Sequence, residues 1–140
     1  RFGRTSQTAL SVISLLVERA PGPEKRLSSA DVAKVRRLSQ PLVAKVLSIL
    51  SLGGFVAGTR GPGGGYWMAK KPRDISLYDV TLLFERPEEL PLCPFGPHWC
   101  GKGDPCPMHD AFAKHDREWV DFLKQTTLEL FVEQARKPAK

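Results

Sequence analysis

The sequence predicts a mainly helical chain, a winged helix-turn-helix unit followed by a long C-terminal helix that pairs copies of the chain. Three observations predict it. Two short segments of helical apolar spacing meet at a tight break around Leu38-Ser39. Two β-type runs, residues 55–59 and 66–69, flank the string Arg60-Gly-Pro-Gly-Gly-Gly65. A stripe of large apolar side chains, Met108, Phe112, Trp119, Phe122, Leu123, Leu130 and Phe131, then recurs at helical spacing.

Taken in order, Leu10, Ile13, Leu16 and Val17 give residues 5–20 the period of an amphipathic helix, and Pro21-Gly22-Pro23 ends it. Ser28 or Ser29 caps a second short helix through Ala30, Val32, Ala33 and Val35, because a serine oxygen there accepts an otherwise unpaired backbone N–H. Arg36 and Arg37 lie near its end, where cations suit the helix dipole. Gln40-Pro41 opens a third helix with Leu42, Val46, Ile49 and Leu50 as its buried stripe, and Gly53-Gly54 terminates it. The two strands and their glycine-rich turn form the wing. Ser76 caps a fourth helix over residues 76–85, with Leu77, Val80, Leu82, Leu83 and Phe84 apolar. The expected division is a winged unit over 1–85, a cysteine-rich loop over 86–108, a dimerisation helix over 109–132 and a charged tail over 133–140.

The 140 residues are 41% hydrophobic, enough for one compact core, and carry a formal charge of +6. That charge is uneven: residues 1–80 hold 13 Lys and Arg against 5 Asp and Glu, and residues 81–140 hold 8 against 10. The first portion has the electrostatics of a phosphate-backbone binder. No apolar run approaches the roughly 20 residues that span a bilayer, so no membrane partner and a cytoplasmic, reducing location are expected. The glycine-rich string is followed by neither Gly-Lys-Ser/Thr nor a helix, which excludes a phosphate loop. The three histidines assemble no nucleophile, base and orienter, so no enzyme is expected.

The chain's three cysteines, Cys93, Cys100 and Cys106, fall in one Pro/Gly-rich loop, and an odd number argues against a disulfide framework. Their spacings, six and five intervening residues, are too wide for Cys-x2-4-Cys zinc pairs. A metal or iron–sulfur site is expected there, with His109, three residues after Cys106, as a ready fourth ligand and His98 as the alternative. On the basic portion, Ser39 and Gln40 lead the recognition helix and Lys45 and Ser48 lie on its less apolar side, in reach of bases or phosphates. No Asp or Glu lies between Gln40 and Leu52, so no carboxylate can read cytosine, and Gln40 is the candidate for adenine. Arg60 suits an A/T-rich minor groove, with Gly63 and Gly64 permitting close approach. Ser28, Ser29 and Arg36 are candidate phosphate contacts, although capping explains the serines equally well.

With helix-turn-helix, the wing string Arg60-Gly-Pro-Gly-Gly-Gly-Tyr66 and three cysteines in this order, the chain resembles the Rrf-two superfamily of bacterial winged-helix regulators, and within it the iron–sulfur cluster regulator branch. The resemblance runs from about residue 1 to 132. It implies a homodimer on a double-stranded DNA operator and a 2Fe-2S cluster held by the three cysteines and a non-cysteine ligand, the position His109 occupies. The chain departs from the branch in one spacing: six residues rather than five separate Cys93 from Cys100. The branch that senses nitric oxide takes a carboxylate from the start of the first helix, whereas the first acidic residue here is Glu18. The resulting expectation is an iron–sulfur transcription regulator sensing redox or cluster status. The alternatives are a 4Fe-4S cluster, a structural zinc or metal-free thiol site on the same DNA-binding body, and a small electron-transfer protein.

Overall fold

The computed structural model describes residues 2–86 and 107–136. The three cysteines, His98 and most of the loop expected over 86–108 therefore lie outside the described residues.

Helix α1, Arg4–Arg19, is the hub. Ala9, Val12, Ile13, Leu15 and Leu16 are all fully buried on it, a wider apolar arc than the stripe expected from spacing alone. Its first turn holds no acidic residue and no side-chain cap. Glu85 supplies the negative charge instead, both carboxylate oxygens accepting the Gly3 N–H at 3.1 Å. Around α1 pack α2 (Ser29–Arg36), α3 (Gln40–Leu52), strand β2 (Gly65–Met68), α4 (Leu77–Leu82) and α6 (Glu129–Arg136).

Helix α2 starts from a capping box: the Ser28 hydroxyl accepts the Asp31 N–H, and the Asp31 carboxylate accepts the Ser28 N–H, each at 3.0 Å. Arg37 closes it in the left-handed region at φ 54°. Helix α3 is capped by Ser39 and carries Pro41 in its first turn, where a missing N–H costs nothing. Its buried face is Val43, Val46, Leu47 and Leu50; the expected Leu42 and Ile49 are only partly buried, so the inward stripe is rotated from the one read in the sequence. Strand β1, Val56–Thr59, pairs antiparallel with β2, Val56 opposite Met68 and Thr59 opposite Gly65. Leu27 adds an isolated antiparallel bridge to β2, exchanging N–H···O bonds of 3.0 and 2.7 Å with Tyr66. A single 3-10 turn, Pro72–Asp74, leads through buried Ile75 to α4, which Ser76 caps with a second box on Asp79. Helix α4 is shorter than the expected 76–85.

The single long C-terminal helix is not formed. It divides into α5, His109–Gln125, and α6, and the charged tail expected from 133 begins as helix through Arg136. At the break Thr126 is extended (φ −101°, ψ 118°), and residues 126–128 pair with residues 75–77: the Leu77 N–H donates to the Thr126 carbonyl at 2.8 Å and the Leu128 N–H to the Ile75 carbonyl at 2.9 Å. Leu128 is fully buried beside Ile75 in the common core. The Thr126 hydroxyl also donates back to the Phe122 carbonyl, as threonines do where a helix ends. Tertiary pairing thus overrides the apolar period, and α6 belongs to the core of the winged unit through its contact with α1. Among the described residues no helix is long and apolar enough to cross a membrane.

Candidate nucleic-acid interface and ligand segment

Helices α2 and α3 pack on one another and on α1, leaving one side of α3 to solvent. Gln40, Pro41, Lys45, Ser48, Ser51 and Leu52 are exposed along it. The spacing 41, 45, 48 and 52 puts four of these on one helical face, opposite the fully buried Val43, Val46, Leu47 and Leu50. The three side chains singled out on this helix, Gln40, Lys45 and Ser48, are therefore outward and spend nothing on the core. Ser39 stands just before them, with its hydroxyl accepting the Leu42 N–H at 3.3 Å.

The wing lies against the far end of the same helix. Ser48, Ser51, Leu52, Gly58, Thr59, Arg60 and Tyr66 line a groove of about 320 Å³ between them. Arg60 is exposed at its rim. The turn beyond is fixed by glycine: Gly61 and Gly63 stand at φ 92° and 75°, and the Gly64 N–H closes the turn on the Gly61 carbonyl at 2.9 Å. A Cβ at Gly64 would collide with the carbonyl oxygens of Thr59 and Gly61. Gly63 and Gly64 thus have a conformational duty besides any contact they make.

Around α2, Ser28 is committed to its capping box and Ser29 is the first helical residue, partly buried. The Asp31 carboxyl is held below its ordinary 3.8, first by the Ser28 backbone N–H, then by the Ser28 hydroxyl and Lys34. Arg36, the remaining phosphate candidate, is half-buried: its Nε donates to the Ser11 carbonyl at 3.0 Å and its Nη2 to the Ser14 hydroxyl at 3.1 Å, so it ties α2 to α1. Sequence reasoning missed the groove residues Ser51, Leu52, Thr59 and Tyr66, and also Arg26; the first four became visible only when the wing was folded against α3.

On the ligand side, His109 is exposed as the first residue of α5. Cys93, Cys100 and Cys106 precede it outside the described residues. Along α5, Trp119 packs on Phe2 and Phe122, with ring centroids at 5.1 and 5.6 Å, while Phe122 keeps 49% of its surface exposed and Met108 45%. The inward side of the helix is anchored by Leu123, which is fully buried, and faces α4.

Comparisons with known proteins agree with this architecture. A family model for iron-dependent transcriptional regulators, Rrf2, matches residues 3–134. IscR of Pectobacterium carotovorum subsp. carotovorum (strain PC1), an HTH-type transcriptional regulator, is 29% identical over 130 residues, 93% of this chain and 76% of that protein. T. potens IscR superposes with a TM-score of 0.75 at 22% identity, over 100% of this chain and 93% of that one. CymR, the global cysteine regulator of B. subtilis, does so at 0.72 and 22%, over 92% and 93% of the two chains.

Proposed function

The chain belongs to the Rrf2 family of iron-dependent transcriptional regulators, and on that premise we propose that it is an iron–sulfur-dependent repressor or activator acting as a homodimer on a double-stranded operator. Regulators of this family bind DNA, are typically dimeric and are not enzymes. The observation that carries the finer reading is the placement of His109. It heads a helix of the same body that presents the winged helix, and the cysteine segment runs directly into that helix.

At the DNA, α3 enters the major groove with Ser39, Gln40, Lys45 and Ser48 foremost. Gln40 offers adenine its amide, and Lys45 answers a phosphate or guanine. Arg60 enters the adjacent minor groove, and the glycine turn with Gly63 and Gly64 lets the wing's backbone follow it. Ser28 and Ser29 stand at the N-terminal end of α2, a position whose free N–H groups suit a phosphate.

The donor set fits a cluster. Three thiolates are soft anionic ligands for iron bridged by sulfide, and one neutral imidazole in place of a fourth raises the reduction potential and adds a protonatable position. Cys93, Cys100, Cys106 and His109 would hold it, as 2Fe-2S. His109 heads α5, which packs on α4 and is clipped through residues 126–128 to residues 75–77. A displacement of the first turn of α5 is thereby passed to the winged unit. The exposed Met108 and Phe122 supply apolar surface for a second copy.

Absorption and metal content of protein purified without oxygen test this. A brown protein absorbing at about 400–500 nm, whose iron is lost in the triple variant Cys93→Ala, Cys100→Ala, Cys106→Ala, is expected. Equal iron in wild type and triple variant would overturn the reading. A colourless protein would favour a zinc or metal-free thiol site on the same body.

A further inference from the structure

Arg26 belongs to none of the motifs, yet its side chain is fixed at three points. Its Nε donates to the Pro23 carbonyl at 2.7 Å and its Nη1 to the Thr59 hydroxyl at 3.0 Å, and its guanidinium carbon lies 5.1 Å from the centre of the Trp67 ring. These points come from different pieces of chain. Pro23 sits in the loop after α1, Thr59 ends β1 immediately before Arg60, and Trp67 lies in β2 opposite Ala57. The backbone is fitted as closely: a Cβ at Gly65, the partner of Thr59, would stand 3.0 Å from the Cβ of Arg26 and from the Leu27 carbonyl.

The wing itself is two strands of four residues, and a lone two-stranded hairpin is marginal in water. Its last rung before the turn, Thr59 with Gly65, is the one Arg26 holds. A planar guanidinium can serve two acceptors at its edge while its face lies on an indole; an ammonium cannot do both. We propose that Arg26 is a positioning residue of the DNA interface: through Thr59 it sets the direction in which Arg60 leaves the wing, and so sets how strongly the wing discriminates between DNA flanks. This rests on the reading of the wing as a minor-groove element.

The test is equilibrium binding of full-length protein to two duplexes that differ only in A/T-rich or G/C-rich flanks, each titrated over a salt series. Arg60→Ala should reduce the preference for A/T flanks. Arg26→Ala, Arg26→Lys and Thr59→Val should each reduce it by roughly threefold to tenfold, the loss of one hydrogen bond, bounded by the Arg60→Ala effect. Arg26→Ala should add little in an Arg60→Ala background, as coupled residues do. Thr59→Val removes only the acceptor and keeps the strand, so it carries the test even if an Arg26 variant folds poorly. If Arg26→Lys retains the wild-type preference, or Thr59→Val has no effect, Arg26 is a direct phosphate contact and the proposal fails. A salt slope lowered by about one in Arg26→Ala and restored in Arg26→Lys would say the same. If Arg60→Ala changes nothing, the minor-groove reading itself falls; if it shifts the preference and Arg26→Ala does not, only the role of Arg26 falls.

Discussion

Replacing Leu128 with alanine separates a C-terminal segment that is part of the winged core from one that serves only to pair protomers. Leu128 is fully buried among Ile75 and residues of α1, α3 and α4 in one cluster, and its N–H donates to the Ile75 carbonyl. The substitution removes three buried carbons at about 0.8 kcal/mol each, about 2.4 kcal/mol from transfer alone. A residual cavity adds to this, within the range of about 2–5 kcal/mol for such changes in cores. We expect about 3 kcal/mol, which for a chain of this size lowers Tm by about 10 °C. The assay is urea and thermal unfolding at fixed protein concentration, so that dimer dissociation contributes equally to both proteins. Leu130→Ala is the control, because Leu130 is 42% exposed and should lose less than about 1 kcal/mol. A loss below about 1 kcal/mol at Leu128, or equal losses at both positions, would refute the assignment of residues 126–128 to the core.

Trp119→Glu with Phe122→Glu should yield monomers in sedimentation and weaken binding to palindromic DNA, because it charges the aromatic face of α5, where Phe122 is exposed and Trp119 half-buried; an unchanged dimer would move the interface elsewhere. Asp31→Ala should destabilise by up to about 1 kcal/mol at neutral pH, the scale of a helix cap. Since the carboxyl of Asp31 is lowered below 3.8 by Ser28, its contribution is whole above that pH and fades as pH falls through the lowered value, so wild type and variant should converge in acid unfolding curves. Gly64→Ala should reduce operator affinity more than Ser51→Ala, since only the former forces the Thr59 and Gly61 carbonyls apart; equal effects measured on one duplex would dismiss the turn's geometry as a requirement.

Most of the winged unit was legible because its signals are local. Serine caps, Pro41 in a first turn and glycines where φ is positive each act within a few residues, so Ser28, Gln40-Pro41 and Ser76 marked real helix starts. The failures are non-local. A continuous apolar period concealed the break at Thr126, since Leu123 and Leu128 are buried on either side of it and only pairing with residues 75–77 distinguishes a bent path from a straight helix. The anchorage of Arg36 was not legible because a cation at a helix end looks alike whether it faces solvent or the Ser11 carbonyl. Arg26 sent no signal at all, as its partners Thr59 and Trp67 are 33 and 41 positions away.

The two sides of α3 have different tolerances. Val43, Val46, Leu47 and Leu50 are locked into the core, where even one lost methylene is felt, while Gln40, Lys45 and Ser48 touch nothing whose loss would unfold the chain. Exchanges at those outward positions should move stability by no more than about 0.5 kcal/mol. On the proposed reading of this helix as the one that meets DNA, a lineage could change its target by single steps that each leave a folded protein, and a small library at Gln40, Lys45 and Ser48 could be searched for new operators without first rebuilding the scaffold.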